Sequence, residues 1–279
     1  MSDRLSDLRA RIGATRQLET VVVAMRGIAA ARTREAQTRL EGARAYAKAL
    51  EKAIGAALTL APETPAAEAD RRDGHIVLAL AAEQGFVGSY IERILAAARA
   101  IATHGGGALF LVGARGQALA AEQGLEPALT APMIAHVDET PHLADAIADA
   151  LYERLGAGEA ARVTLIHGAP AEDGSAGPRL VARPLVPLDY SRIPASRARI
   201  PPLTTLEPRR LLAQLAEEYV FAQLCEAVAL SYAAENEARM QAMIAARQNV
   251  RKTLDELTAR YRRQRQEEIT EEIVELAVR

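Results

Sequence analysis

The residues of this chain best suited to chemistry are its glycine clusters, five histidines, one serine in a glycine-rich loop and one cysteine. A phosphate-binding loop needs glycines that let backbone N–H groups wrap the anion, then a lysine that reaches it, as in G-x-x-x-x-G-K-[ST]. No Gly-Lys pair occurs in the 279 residues, which excludes that loop. Gly105-Gly106-Gly107 precedes an apolar run instead of following one, and Gly113-Ala114-Arg115-Gly116 lacks the spacing of a dinucleotide fingerprint, so both read as turns. His75, His104, His136, His142 and His167 are scattered, without metal-ligand spacing to a cysteine or to one another. Ser175 lies in AEDGSAGP but not on a G-x-S-x-G elbow, and Cys225 reads as a small packing residue. No catalytic, cofactor-binding or metal-ligating residue is expected.

Composition narrows the class further. A net charge of −2 and a pI near 6.3 argue against a dedicated nucleic-acid binder, which is normally strongly basic. No apolar run approaches the roughly 20 residues of a membrane span, and MSDRLSDLRARIG has no apolar signal core. One cysteine rules out an internal disulfide and fits a reducing compartment. The expectation is a cytosolic protein, or one held at a membrane surface through its partners. With no tryptophan and 4% aromatics, the core must be built from Ala, Leu, Val and Ile.

Three zones must position whatever the chain does. Residues 1–60 lack proline, and Leu5, Leu8, Ile12, Thr15, Val22, Met25 and Ala29 recur in steps of three and four with one longer gap, predicting a long helix closed by Ala61-Pro62. Residues 61–74 read as a polar linker. His75–Ala81, Ala108–Ala114, Ala161–Ala169 and Arg179–Val186 read as strands, with helices near 88–103, 115–123 and 140–156 between them. That alternation predicts a Rossmann-like α/β domain with a largely parallel sheet, and the proline-rich stretch 187–208 reads as a connector. Beyond Pro208 there is no proline or glycine as far as Leu276. Two seven-residue registers run there, one through Leu212, Tyr219, Glu226, Ala233, Met240, Arg247, Leu254 and Tyr261, the other through Leu215, Ala222, Ala229, Asn236, Met243, Val250 and Leu257. Together they predict a coiled-coil helix of about 70 residues, roughly 105 Å long. The expected fold is α/β with long helices: an antiparallel coiled coil of N- and C-terminal helices with the α/β domain inserted. Its zones are 1–60, 61–204 and 205–279. An alanine-rich seam broken by Glu226, Asn236 and Arg247 buries little area, which suits a rod that something else encloses.

At these residues the chain resembles a known family. AMRGIAAARTREAQ (24–37) is similar to the N-terminal helix of the gamma subunit of F-type rotary ATP synthases. AENEARMQAMIAARQN (234–249), continued by RRQRQEEITEEIVEL (262–276), is similar to that family's C-terminal signature. Departures mark a divergent member, of a main or an alternative complex: Gly85-Phe86-Val87-Gly88-Ser89-Tyr90 replaces Gly-Leu-Cys-Gly-Gly, Val23 replaces a basic residue, and Leu276-Ala277 replaces Gly-Gly. The resemblance implies a non-catalytic rotor shaft without cofactor. It would turn inside a hexamer of alpha and beta subunits, its central domain meeting the epsilon subunit and the c-ring, and so couple ion transport to ATP synthesis or hydrolysis. It implies a peripheral place on the cytoplasmic face of the bacterial inner membrane. It also implies hexamer contacts at Met25, Arg26, Arg239, Arg265, Gln266, Thr270 and Glu272.

Two other readings remain open on the residues alone. A freestanding coiled-coil adaptor predicts a homodimeric seam, and a small α/β enzyme with helical arms needs polar residues converging at the strand ends. Residues 1–60 carry 11 basic and 6 acidic side chains and residues 205–279 carry 11 and 13, so the two helices differ in sign and suit each other.

Overall fold

The computed structural model describes residues 2–60, 74–105, 107–172, 177–194 and 202–278, without the side chains of residues 2, 3, 104, 105, 272 and 275. Most of the expected 61–74 linker, Gly106, Ser175 and part of the 187–208 connector lie outside the described residues. The elements are α1 (Ser2–Ala57), β1 (His75–Leu80), α2 (Tyr90–Gly105), β2 (Ala108–Val112), α3 (Ala114–Glu122), β3 (Leu129–Ala131), α4 (Thr140–Gly156), β4 (Arg162–Ala169), β5 (Arg179–Val186) and α5 (Pro208–Ala277). The chain divides into two compact units, one of residues 1–30 with 239–279 and one of residues 31–238.

In the 31–238 unit the sheet has the order β3-β2-β1-β4-β5, with β5 antiparallel to β4 and the other neighbours parallel. The apolar runs that predicted the central strands are buried on both faces: Ile76, Leu78, Leu80, Phe110 and Leu165 meet α4 and α5, while Val77, Ala79, Leu109, Leu111 and Ile166 meet α2. Here α5 is covered on two sides, by the sheet through Val220, Leu224, Val228 and Tyr232 and by α1 on another, and from Ala222 to Ala238 each of its residues is buried or half-buried. The α1 seam consists of Ala36, Leu40, Ala47, Leu50, Ile54 and Ala57, all buried, with half-buried Ala43 completing alternate steps of four and three.

On α5 the two registers differ in depth. Ala222, Ala229, Asn236, Met243, Val250 and Leu257 are buried, whereas of the register through Leu212 only Leu212 and Ala233 are. The first register runs along the margin of the contact, where long polar side chains reach across to α1. Within the 31–238 unit, Tyr219 donates its hydroxyl to Glu51 at 2.8 Å and Arg44 pairs with Glu226 at 2.9 Å. Within the other unit, Arg247 and Arg251 both meet Glu19, at 3.5 and 2.9 Å, and Arg9 bonds and overlies Tyr261. The helices run antiparallel in each. Glu19 fills the longer gap in the apolar spacing of α1, so the breaks in the two seams are partners. Hydrogen bonding to Arg251 holds the Glu19 carboxyl below the ordinary carboxylate range.

Candidate functional site

In an open α/β sheet the crevice for ligands lies outside the carboxyl ends of the strands, where the strand order reverses. Here that point falls between β1 and β4, bracketed by the loops that follow them. Such a crevice offers unpaired backbone N–H groups to an anion. In this chain α5 fills it. Glu235, 3% exposed, accepts from the Glu83 N–H at 3.0 Å and the Gln84 N–H at 3.3 Å in the loop after β1. Glu237 accepts from the Ala171 N–H at 2.9 Å in the loop after β4. Hydrogen bonds to an ionised carboxylate of this kind contribute about 1.5–3 kcal/mol each.

A second layer supports the first. The Glu83 carboxylate accepts from the Ala114 N–H at 2.9 Å and the Met133 N–H at 2.7 Å, tying the β1 loop to α3 and to the segment after β3. Gly113 enters α3 with φ of 109°, and a Cβ there would come within 2.7 Å of the Ala82 carbonyl, so the turn requires glycine. Ser231 donates to the Leu80 carbonyl at 3.1 Å and receives the Tyr90 hydroxyl at 3.1 Å, while Tyr232 donates to the Ala135 carbonyl. Gly168 on β4 makes room for this approach, since a Cβ there would lie 2.8 Å from the Ala234 Cβ and strike the Tyr90 ring.

The strand ends thus hold a mechanical clamp in the place an enzyme would use for substrate. Of Glu83, Gln84 and Arg115, the polar residues at these strand ends, Glu83 gives its carboxylate to the clamp, Gln84 gives its backbone N–H, and Arg115 is exposed. Cys225 has its thiol pushed up to about 11 by burial and stays protonated at neutral pH. No cluster of metal-ligating side chains occurs among the described residues. Phe86, in the same β1 loop, is 68% exposed at φ of 61°.

The residues expected to meet partners lie along the unit of 1–30 and 239–279 and do not converge on one spot. Met25 and Arg26 are half-buried on α1, and Met25 falls in a stripe with Leu18, Val21 and Ile28, which are 51%, 53% and 55% exposed. Arg239 is 4% exposed. Arg265, Gln266 and Thr270 are exposed about 40 Å further along α5, with Thr270 donating to the Gln266 carbonyl at 2.8 Å. The backbone of Glu272 is helical and its side chain lies outside the described residues. Ile269, Ile273, Val274, Leu276 and Val278 are exposed at the same end. Sequence reasoning missed Glu235 and Glu237, because a glutamate off the seam of a long helix reads as a solvated face.

The family model described as ATP synthase matches residues 4–278. Curated relatives named ATP synthase gamma chain include those of Paracoccus denitrificans (strain Pd 1222), 31% identical, and Anaeromyxobacter sp. (strain K), 30% identical. These alignments span 98% of this chain and 97% and 96% of the relatives. Among solved structures, a chain of the Euglena gracilis mitochondrial ATP synthase OSCP/F1/c-ring assembly superposes with a TM-score of 0.66 at 11% identity, over 99% of this chain and 93% of that one. A chain of the Tetrahymena thermophila mitochondrial ATP synthase central stalk/c-ring superposes with a TM-score of 0.55 at 18% identity, over 81% and 99%. Long helices and a small α/β sheet are thus found in a fold that this chain shares with these two solved chains. The chain therefore belongs to the ATP synthase gamma-chain family, whose part in the enzyme is that of a non-catalytic subunit.

Proposed function

We propose that this chain is the central rotor shaft of an F-type ATP synthase, turning within an alpha/beta hexamer and coupling ion flow through a c-ring to ATP synthesis or hydrolysis. The observation that carries this reading is the family relationship along residues 4–278. The surface fits it. An apolar stripe of exposed Leu18, Val21 and Ile28 with half-buried Met25, and exposed Ile269, Ile273, Val274 and Leu276, suit side chains that a surrounding hexamer would cover. Arg26, Arg265, Gln266, Thr270 and Glu272 would supply polar contacts to it, and Arg239, being buried, would act only through the side chains packed over it. As the shaft turned, each beta subunit would meet a different face and be biased between nucleotide-binding conformers.

The zones 1–60, 61–204 and 205–279 would then be shaft helix, ring-side domain and shaft helix, with epsilon and the c-ring meeting the middle one. No described helix is long and apolar enough to cross a membrane, and the subunit is a peripheral part of a membrane-bound complex, on the cytoplasmic face of a bacterial inner membrane in this reading.

Co-expression with alpha and beta subunits of the same genome tests the proposal. The expected product is a complex of three alpha, three beta and one of this chain whose ATPase activity falls when residues 262–279 are removed. A stable homodimer that ignores alpha and beta would contradict it and favour the adaptor.

A further inference from the structure

The clamp at the strand ends has a geometry that packing alone does not require. Apolar contact between α5 and the sheet is non-directional and resists a twist of the helix only through the fit of its side chains. Hydrogen bonds to a carboxylate are directional. Glu235 and Glu237 are two residues apart on one helix, so their side chains leave it about 200° apart. Glu235 takes the loop after β1 and Glu237 the loop after β4, the two loops that flank the point where strand order reverses. The helix is keyed between them, and a twist about its own axis loads one carboxylate or the other whichever way it turns. The Glu83 carboxylate extends the β1 side of this grip to the α3 N-terminus and to Met133.

We propose that Glu235 and Glu237 are torque pins: positioning residues through which a turning force passes between the α/β sheet and α5, which runs as one helix from Pro208 to Ala277. This rests on the rotor-shaft reading. In a static scaffold the same bonds would serve only to hold the fold together. In a shaft they set how much of the twist applied to the sheet reaches the helix.

The test uses the whole membrane-bound complex in inverted vesicles, reading ATP hydrolysis and ATP-driven proton uptake on the same sample. Wild-type vesicles that hydrolyse ATP and take up protons establish the rotor reading. Failure of the wild type to assemble, or to take up either protons or sodium ions, overturns that reading and the pins with it. With the wild type pumping, Glu235→Ala is expected to leave hydrolysis running while protons taken up per ATP fall several-fold. Added formate, which fits the space of the missing carboxylate, is expected to restore at least half of the loss. Glu237→Ala, at a half-buried site, is expected to give a two-fold loss and keeps the proposal open to test if Glu235→Ala does not assemble. Uptake per ATP equal to wild type in Glu237→Ala, or in assembled Glu235→Ala, would overturn the pins and leave those carboxylates a purely structural role.

Discussion

His167 lies on β4 with its side chain 1% exposed. Its Nδ1–H donates to the Gly168 carbonyl at 2.8 Å, and Nε2 has no hydrogen-bond partner among the described residues, so the neutral ring is the form the site accepts. Burial pushes its pKa down to about 4, with Arg183 and Arg179 adding to the effect and Glu226 opposing it. Because the folded value lies below the unfolded value near 6.5, the stability tied to the neutral ring is fully present above pH 6.5 and is lost as pH falls toward 4. The size is about 3 kcal/mol for a shift of that extent. Denaturant melts of the wild type and of His167→Leu across this window should therefore diverge, the variant losing less stability on acidification by about that amount. Parallel curves would mean that the ring keeps its proton in the fold. The sequence offered no sign of this residue's burden: a histidine inside ARVTLIHGA looks like any apolar-strand neighbour until β5 and α5 close over it. Glu235 was hidden for the same reason, since its partners are backbone N–H groups more than 150 residues away in sequence.

At the scale of elements, most of the architecture was legible because it rests on long, uninterrupted patterns. The runs at 75–81, 108–114 and 161–169 became the buried centre of the sheet, and the proline-free, glycine-free stretch after Pro208 became one helix. What escaped was short or relational. β3 has three residues and carries no periodicity of its own; it exists because it pairs with Phe110–Val112. The polar interruptions in the seams looked like isolated costs, yet Glu19 answers Arg247 and Arg44 answers Glu226 across the helix pair, so each helix supplies the other's compensation. The alanines between them set how closely the helices approach. Ala36, 1% exposed in the seam, should tolerate no larger side chain: Ala36→Leu is expected to cost about 1–3 kcal/mol by forcing the packed surfaces apart. Ala31→Leu, on the exposed side of the same helix, should change stability by no more than about 0.5 kcal/mol. Calorimetry of the two variants compares them directly, and equal costs would contradict the seam assignment.

At the scale of the whole molecule, each departure from an ordinary globular protein has a use in a shaft. The α/β sheet has the crevice of a ligand-binding fold and closes it with two carboxylates from its own C-terminal helix. Large apolar side chains such as Leu18, Val21, Ile273 and Leu276 face outward, which an isolated protein would be expected to avoid. The family was readable from the terminal motifs and the fold from the long periodic runs, whereas spacing alone does not tell a solvated arginine from a bearing arginine. The central claim, that this chain rotates, is tested most directly by watching it do so. A bead attached through Glu126→Cys, an exposed position between α3 and β3, in a Cys225→Ser background, would report the motion of this chain in a surface-held complex with alpha and beta. ATP-driven turning in one direction, paused at thirds of a revolution, is the predicted result. A complex that hydrolyses ATP while the bead only fluctuates about a fixed angle would contradict the account.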